Sequence, residues 1–304
     1  MTETPPVDVV IATHRRPEMV REAIDAVRRQ TYAGPVRVHV VHDRCEPDAS
    51  LATVDGPPER RVEVLVNTRT PGLAGSRNTG TAAGSAPLVA FCDDDDLWHP
   101  DKLERQVDVL LRRGWTTSVT GIVVDHQGTS TVRVPTWEDL SVEHLLRHRV
   151  VAAHPSTVLV RRDALERIGP VDEQIPGSFG EDYVWILRAA ADEGGVEVLS
   201  QPLVTVRWGG SQFARDWDTI VAALDYLLAK HPGFHEDPKA LARVRGQQAF
   251  ALAALGRRRE ALRVVGDTLR SSRSERRAYV AGAVALGLPA GRVLDAANRL
   301  GRGI

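Results

Sequence analysis

Lysine is nearly missing from this chain. Only Lys102, Lys230 and Lys239 occur among 39 basic residues, and none falls in a candidate active loop. That scarcity argues against Schiff-base chemistry and against the phosphate-binding lysine of a P-loop. Cysteine is as rare. Cys45 and Cys92 give neither a disulfide framework nor metal-ligand spacing, so a reducing, cytosolic setting is expected. The opening residues MTETPPVDVV lack a basic segment followed by an apolar one, so no secretion signal is expected. No apolar run reaches the ~18–20 residues that a membrane span requires. The glycines form neither G-x-G-x-x-G nor G-x-x-x-x-G-K after the first strand, which ends in THRRP. Two common nucleotide-binding α/β classes are thereby disfavoured.

The composition is that of a globular protein, with 42% hydrophobic and 26% charged residues. A length of 304 residues suits one large or two modest domains. Net charge is −1, which gives no overall bias towards nucleic acid, but the charge is unevenly spread. From Lys239 onward there are 14 basic and 4 acidic residues; residues 1–238 hold 25 basic and 36 acidic. The basic tail could attract an anionic membrane surface, giving peripheral contact, or dock on the acidic body.

The pattern along the chain is α/β. VDVVIAT (7–13) is a continuous β-branched run, as expected of a strand buried on both faces. A helix follows, with Pro17 in its first turn and Met19, Val20, Ala23, Ile24 and Val27 on one face. Further strands are expected at 36–43, 62–67, 87–92, 156–162 and 196–208, and a hairpin at 116–135. Helices are expected at 72–85, 100–114, 163–169 and 181–195. Strands alternating with helices predict a mainly parallel central sheet. From about Asp216 the pattern is helical only, and QQAFALAALGRRREALRVVGDTLR resembles one helical-repeat hairpin. The expected domains are 1–215 and a helical extension, 216–304.

The feature that demands a reason is FCDDDDLWHP (91–100), with four adjacent carboxylates, Asp93 to Asp96. Neighbouring like charges repel by about 1 kcal/mol per pair even in water. Ligands of open α/β sheets bind at the carboxyl ends of the strands. Thr13, Asp43, Asn67 and the aspartate run all fall at such ends. Singly, Thr13 or Asp43 reads best as a cap or turn residue; together with the aspartates they outline a crevice. An Asp-x-Asp in extended backbone aims Asp93 and Asp95 to one side, and such hard oxygens suit Mg²⁺ or Mn²⁺.

In order and spacing, VVIATHRRP (9–17), VVHD (40–43), GLAGSRNTG (72–80), AFCDDDDLWHPDKLE (90–104), VLVRRDALERIGPVDE (158–173) and FGEDYVWILR (179–188) together resemble the family-2 glycosyltransferases of the GT-A fold. The resemblance covers about residues 7–210. It implies metal-assisted, inverting transfer of a sugar, hexosyltransferase in type, from a nucleotide-diphosphate donor, with UDP favoured, to an acceptor hydroxyl. Thr13, Arg15 and Asp43 would then contact the nucleotide, with Arg77 beside it. Asp93 and Asp94 would approach the ribose and phosphates, Asp95 with Asp93 would hold Mg²⁺ or Mn²⁺, and Asp182 would be the general base.

The chain departs from the family pattern in places. His14 and Arg15 replace a Tyr-Asn, His42 replaces an Asp, and Trp208 takes the place of a histidine that often completes the metal site. His99 and His154 read as structural or loop histidines, and Trp98 and Trp185 as core residues more than sugar platforms. Glu181 and Asp182 also suit a helix start, where the dipole favours acids. Alternative readings are a sugar-nucleotide nucleotidyltransferase, a phosphoaspartate phosphatase and a non-catalytic nucleotide- or glycan-binding module. The first expects glycines in the first loop, and the second expects an aspartate where Thr13 lies.

Overall fold

The structure, a computed structural model, describes residues 4–52, 60–126, 128–207 and 216–299. Its elements run β1 (Val7–Thr13), α1 (Pro17–Arg28), β2 (Val36–His42), β3 (Arg60–Val66), α2 (Leu73–Ala83), β4 (Leu88–Asp93), β5 (Asp96–Trp98), α3 (Lys102–Arg113), β6 (Thr117–His126) and β7 (Thr129–Arg133). They continue with α4 (Val142–Arg147), β8 (Leu159–Arg161), α5 (Arg162–Ile168), α6 (Glu181–Ala191) and β9 (Val196–Arg207). The remainder is helical: α7 (Trp217–Lys230), α8 (Gly233–Glu236), α9 (Pro238–Ala254), α10 (Arg258–Ser271), α11 (Arg276–Ala285) and α12 (Ala290–Arg299).

Among the described residues the strands form one nine-stranded sheet in the order β3-β2-β1-β4-β8-β6-β9-β5, with β7 paired to β6. The long pairings of β1 with β2 and β4, β2 with β3, and β6 with β9 are parallel. Four shorter pairings are antiparallel. The mainly parallel sheet expected from the sequence is therefore present, and every residue of β1 is buried, as its β-branched run requires. α1 packs Val20, Ala23, Ile24 and Val27 on the sheet, whereas Met19 points outward and is exposed. α2 lies nearly flush on the sheet: a Cβ on Gly80 would come within 2.4 Å of Val10 Cγ1.

Two local expectations change. The strand expected over 156–162 shrinks to β8, because Pro155 opens a 3₁₀ turn over Pro155–Thr157 that the His154 side chain caps. β5, which follows the aspartates directly, was not expected, since three residues carry too little pattern.

The chain divides into two compact units. The first holds the sheet; the second comprises Glu143–Arg149, Gln174–Gly180 and, of the described residues that follow β9, 216–299. In the second unit Phe234, Ala240, Val244 and Phe250 are buried, and Trp217 meets Phe250 edge to face at 5.7 Å. Asp237 caps α9 and takes a 2.5 Å ion pair from Arg147.

Candidate active site

β4 delivers Asp93 at its last position, Asp94 and Asp95 form a turn, and Asp96 opens β5. The crowded carboxylates are separated by sending them to different partners. Asp94 accepts from Thr13 Oγ1 at 2.8 Å and from Arg16 Nη1 at 3.1 Å, and Asp95 accepts from the same Nη1 at 2.7 Å. Asp93 accepts from Arg77 Nη2 at 2.7 Å. Asp96 accepts from Ser156 Oγ at 2.5 Å and lies 3.2 Å from His154 Nδ1. Ser156 also accepts from the Asp93 backbone N–H at 2.9 Å, so one hydroxyl orients both ends of the run.

The 154–157 turn comes to the aspartates through sheet register. β8 pairs antiparallel with β4, Ala90 opposite Leu159. Continuing that register sets Ser156 opposite Asp93. His154 Nε2 then lies 3.7 Å from Asp93 Oδ2. Asp93, Asp96 and His154 each offer a ligand atom within 4.8 Å of the other two. Two hard carboxylates and an imidazole fit a divalent cation.

Arg77 is the electrostatic centre of the site. Its buried guanidinium donates to Asp93 and to Glu181 at the start of α6. Burial alone would depress its pKa, but the carboxylates of Asp93 and Glu181 hold it raised. One guanidinium is too little for its acidic neighbours, however. Burial pushes the Glu181 carboxyl up to about 7 even though Arg77 opposes it, and Asp182 and Asp93 add to the rise. Burial likewise pushes Asp96 up to about 7, and raises Asp94 against the pull of Thr13 and Arg16.

At the end of β2, Asp43 sits in its own network. Its Oδ1 accepts from Asn67 Nδ2 at 2.8 Å and the Gly72 N–H at 3.1 Å, and Oδ2 accepts from Arg44 Nε at 2.8 Å. Burial works the other way, but these donors together hold its pKa low. Thr13 pairs with His42 across β1 and β2, and the residues two beyond each, Arg15 and Arg44, both adopt left-handed backbone, with φ of 54° and 49°. Non-glycine residues at positive φ concentrate at ligand sites.

The structure thus joins Thr13 to Asp94 and Arg77 to Asp93, and places Asp43 with Asn67 and Gly72. It does not join Asp95 to the three-ligand group, since Arg16 holds that carboxylate. Arg15 is exposed, and Asp182 is half-buried on α6. Trp98 and Trp185 are core residues: Lys102 Nζ sits 3.8 Å above the Trp98 ring, and Trp185 packs edge to face on Phe91. Trp208 lies outside the described residues. The sequence singles out neither Arg16 nor Ser156 and gives Asp96 no ligand role; His154, expected to be a structural or loop histidine, instead joins the three-ligand group, and Glu181, expected only to start a helix, also pairs with Arg77. For Asp96 the available signal was its place in the same run; for His154 and Ser156 it was the pairing of two distant strands.

The mixed, mainly parallel sheet with acidic strand ends is the GT-A type of fold, as the comparisons with known proteins show. The family model "Glycosyl transferase family 2" matches residues 8–169, and the chain belongs to that family. It is 28% identical over 196 residues to glycosyltransferase AglE of Haloferax volcanii, covering 62% of this chain and 63% of AglE. It is 32% identical to the succinoglycan biosynthesis protein ExoO of Rhizobium meliloti, covering 75% of this chain and 70% of ExoO. The chain thus spans a little under two thirds of AglE. The fold matches S. aureus TarS 1-349 in complex with UDP-GlcNAc with a TM-score of 0.61 at 16% identity, over 97% of this chain and 92% of that one. No helix among the described residues is long and apolar enough to cross a membrane.

Proposed function

We propose that the chain transfers a sugar from a UDP-linked donor to an acceptor hydroxyl, with inversion at the anomeric carbon. The observation that carries this reading is the convergence of Asp93, Asp96 and His154 beside Arg77, which leads directly to the helix bearing Asp182. Asp43 and Thr13, at adjacent strand ends, read the nucleotide: Asp43 keeps its charge and so accepts a base N–H. The TarS complex with UDP-GlcNAc supports a uridine donor. Asp93, Asp96 and His154 would hold Mn²⁺ or Mg²⁺, which when bound neutralises a departing diphosphate as a Lewis acid. Asp95 is a second candidate ligand, available once Arg16 turns towards an anionic donor.

Asp182 is the base. Glu181 is buried and committed to Arg77, so its role is to hold that arginine against Asp93. Asp182 follows it on α6, half-buried, and takes the acceptor's proton as the new bond forms. One carboxylate base, with no second carboxylate identified as a nucleophile among the described residues, supports a single displacement. The test is Asp182→Asn, which keeps shape and removes basicity. Donor affinity, measured by calorimetry, should hold while kcat falls by about 10²-fold or more. NMR of the first-formed product should show the inverted anomer. Full turnover in Asp182→Asn would reject the base assignment, and a retained anomer would reject the single displacement.

A further inference from the structure

We propose that the outer surface of α10 and α11 is a docking face for an anionic lipid bilayer. The region from Lys239 holds 14 basic and 4 acidic residues. Three of those acids are already taken: Glu260 by Arg257, Asp267 by Arg270 and Glu275 by Arg277. Arg258, Arg259, Arg273 and Arg276 are exposed and hold no acidic partner among the described residues. Their charge faces solvent.

The apolar part of the surface is arranged on the same helices. A four-residue link, 272–275, joins α10 to α11, so the two pack side by side and antiparallel. Their register is set at Gly282, where an added Cβ would lie 3.9 Å from Val265 Cγ1. Counting equal rises from that pair puts Leu286 level with Ala261 and Leu262. On α11 and its end, Arg276, Tyr279, Ala283 and Leu286 follow helical spacing along one stripe and are all exposed, while Ala278, Ala281 and Ala285 are buried behind them. Leu286 is 79% exposed and Leu288 46%. These leucines and Leu262 form an apolar tip beside Arg258, Arg259 and Arg263, and Tyr279 reaches back to donate to the Arg273 carbonyl at 2.8 Å.

The chemistry selects the occupant. A two-fold contact with a second copy would set this surplus of arginines against itself. A bilayer with anionic headgroups receives both parts at once: the arginines meet phosphate, and Leu286, Leu288 and the tyrosine ring enter the interfacial layer. All of these residues lie in the second compact unit, so the inference stands apart from the assignment of the nucleotide site.

The experiment is co-sedimentation of the full chain with phosphatidylcholine vesicles, with and without phosphatidylglycerol, at low and physiological salt. Binding is expected only with phosphatidylglycerol and should weaken as salt rises. Reversing three charges in R258E/R259E/R263E should lower partitioning by roughly 100-fold or more, at about a factor of five per arginine removed. L286S should lower it less. All four side chains are exposed, so melting should not change and donor hydrolysis should persist. Equal partitioning onto both vesicle types, or binding indifferent to the arginine reversals, would overturn the proposal. So would a concentration-dependent dimer in sedimentation velocity that L286S abolishes, since that would assign the face to a second copy.

Discussion

Two buried aspartates at opposite ends of the same sheet show how differently a protein can treat one chemical group. Asp8, near the amino end of β1, has no exposed surface. It accepts from Arg162 Nη2 and from the Ala86 N–H, both at 2.7 Å, and sits 3.4 Å from His39 Nε2. Burial works to raise its pKa, yet these partners hold it below the ordinary value. Asp96, at the carboxyl end and equally buried, has only a hydroxyl and a histidine against two further aspartates, and its pKa rises to about 7. The first acid has an arginine, a backbone N–H and a histidine beside it, and serves the fold. The second is short of positive charge, and a site short of positive charge is one that a cation stabilises.

The sharpest test of that contrast is Asp96→Asn. It should lower Mn²⁺-supported donor turnover by about 10³-fold, the scale of losing metal-borne charge stabilisation. Asp95→Asn measured in parallel decides between the two candidate ligands. If Asp95→Asn is the dead variant and Asp96→Asn is active, the cation belongs with Asp95. At the other end, Asp8→Asn should cost about 3–5 kcal/mol of stability, because Arg162 and His39 lose their shared carboxylate. Its Mn²⁺ affinity should be unchanged, and urea melts together with a metal titration check both halves.

Ser156→Ala removes the hydroxyl that orients Asp93 and Asp96 without touching either carboxylate. Metal affinity should fall about 10–100-fold, as when other orienting partners are lost, and melting temperature should drop by a few degrees because Asp96 and the Asp93 N–H lose a buried partner. The smallest effect expected is in pH dependence. Burial raises the Glu181 pKa from 4.5 to about 7, so the folded chain binds that proton more tightly than the unfolded chain. Its contribution to stability is present below the unfolded value and lost as pH rises through about 7. Glu181→Gln should therefore flatten the decline of melting temperature between those limits, by a few degrees at most. An unchanged profile would mean that Glu181 stays ionised throughout.

The legibility of the molecule follows the same division. β1 to β4 and the helices between them are plain in the sequence, because each strand is a short apolar run, β-branched in β1 and β2, set off by helix or turn residues. Thr13, Asp43 and the aspartate run could be placed at strand ends on that basis alone. His154 and Ser156 could not, since what brings them to Asp93 is an antiparallel pairing between residues some 70 positions apart. Arg16 escaped notice for another reason. It is one of three basic residues in HRRP, and only the backbone turn at Arg15 decides which of them reaches the aspartates. Pro155 was visible, but its effect depended on whether the chain there ran straight or turned, and the His154 cap settles that in favour of the turn.

The three-residue strand that follows the aspartates sets a timetable for synthesis. Asp96, Leu97 and Trp98 pair with Val206, Thr205 and Val204. The ribosome must therefore add about 110 residues after Asp96 before its sheet partner exists, roughly 5–20 s at ordinary elongation rates. Until then β5 has no sheet partner, although Thr13, Arg16 and Arg77, all made earlier, can already pair with Asp93, Asp94 and Asp95, and Ser156 and His154 follow for Asp96. A nascent chain that has formed β1 to β4 therefore holds its aspartates by side chains before it holds them by strand pairing. The emergence of β9 supplies that last pairing.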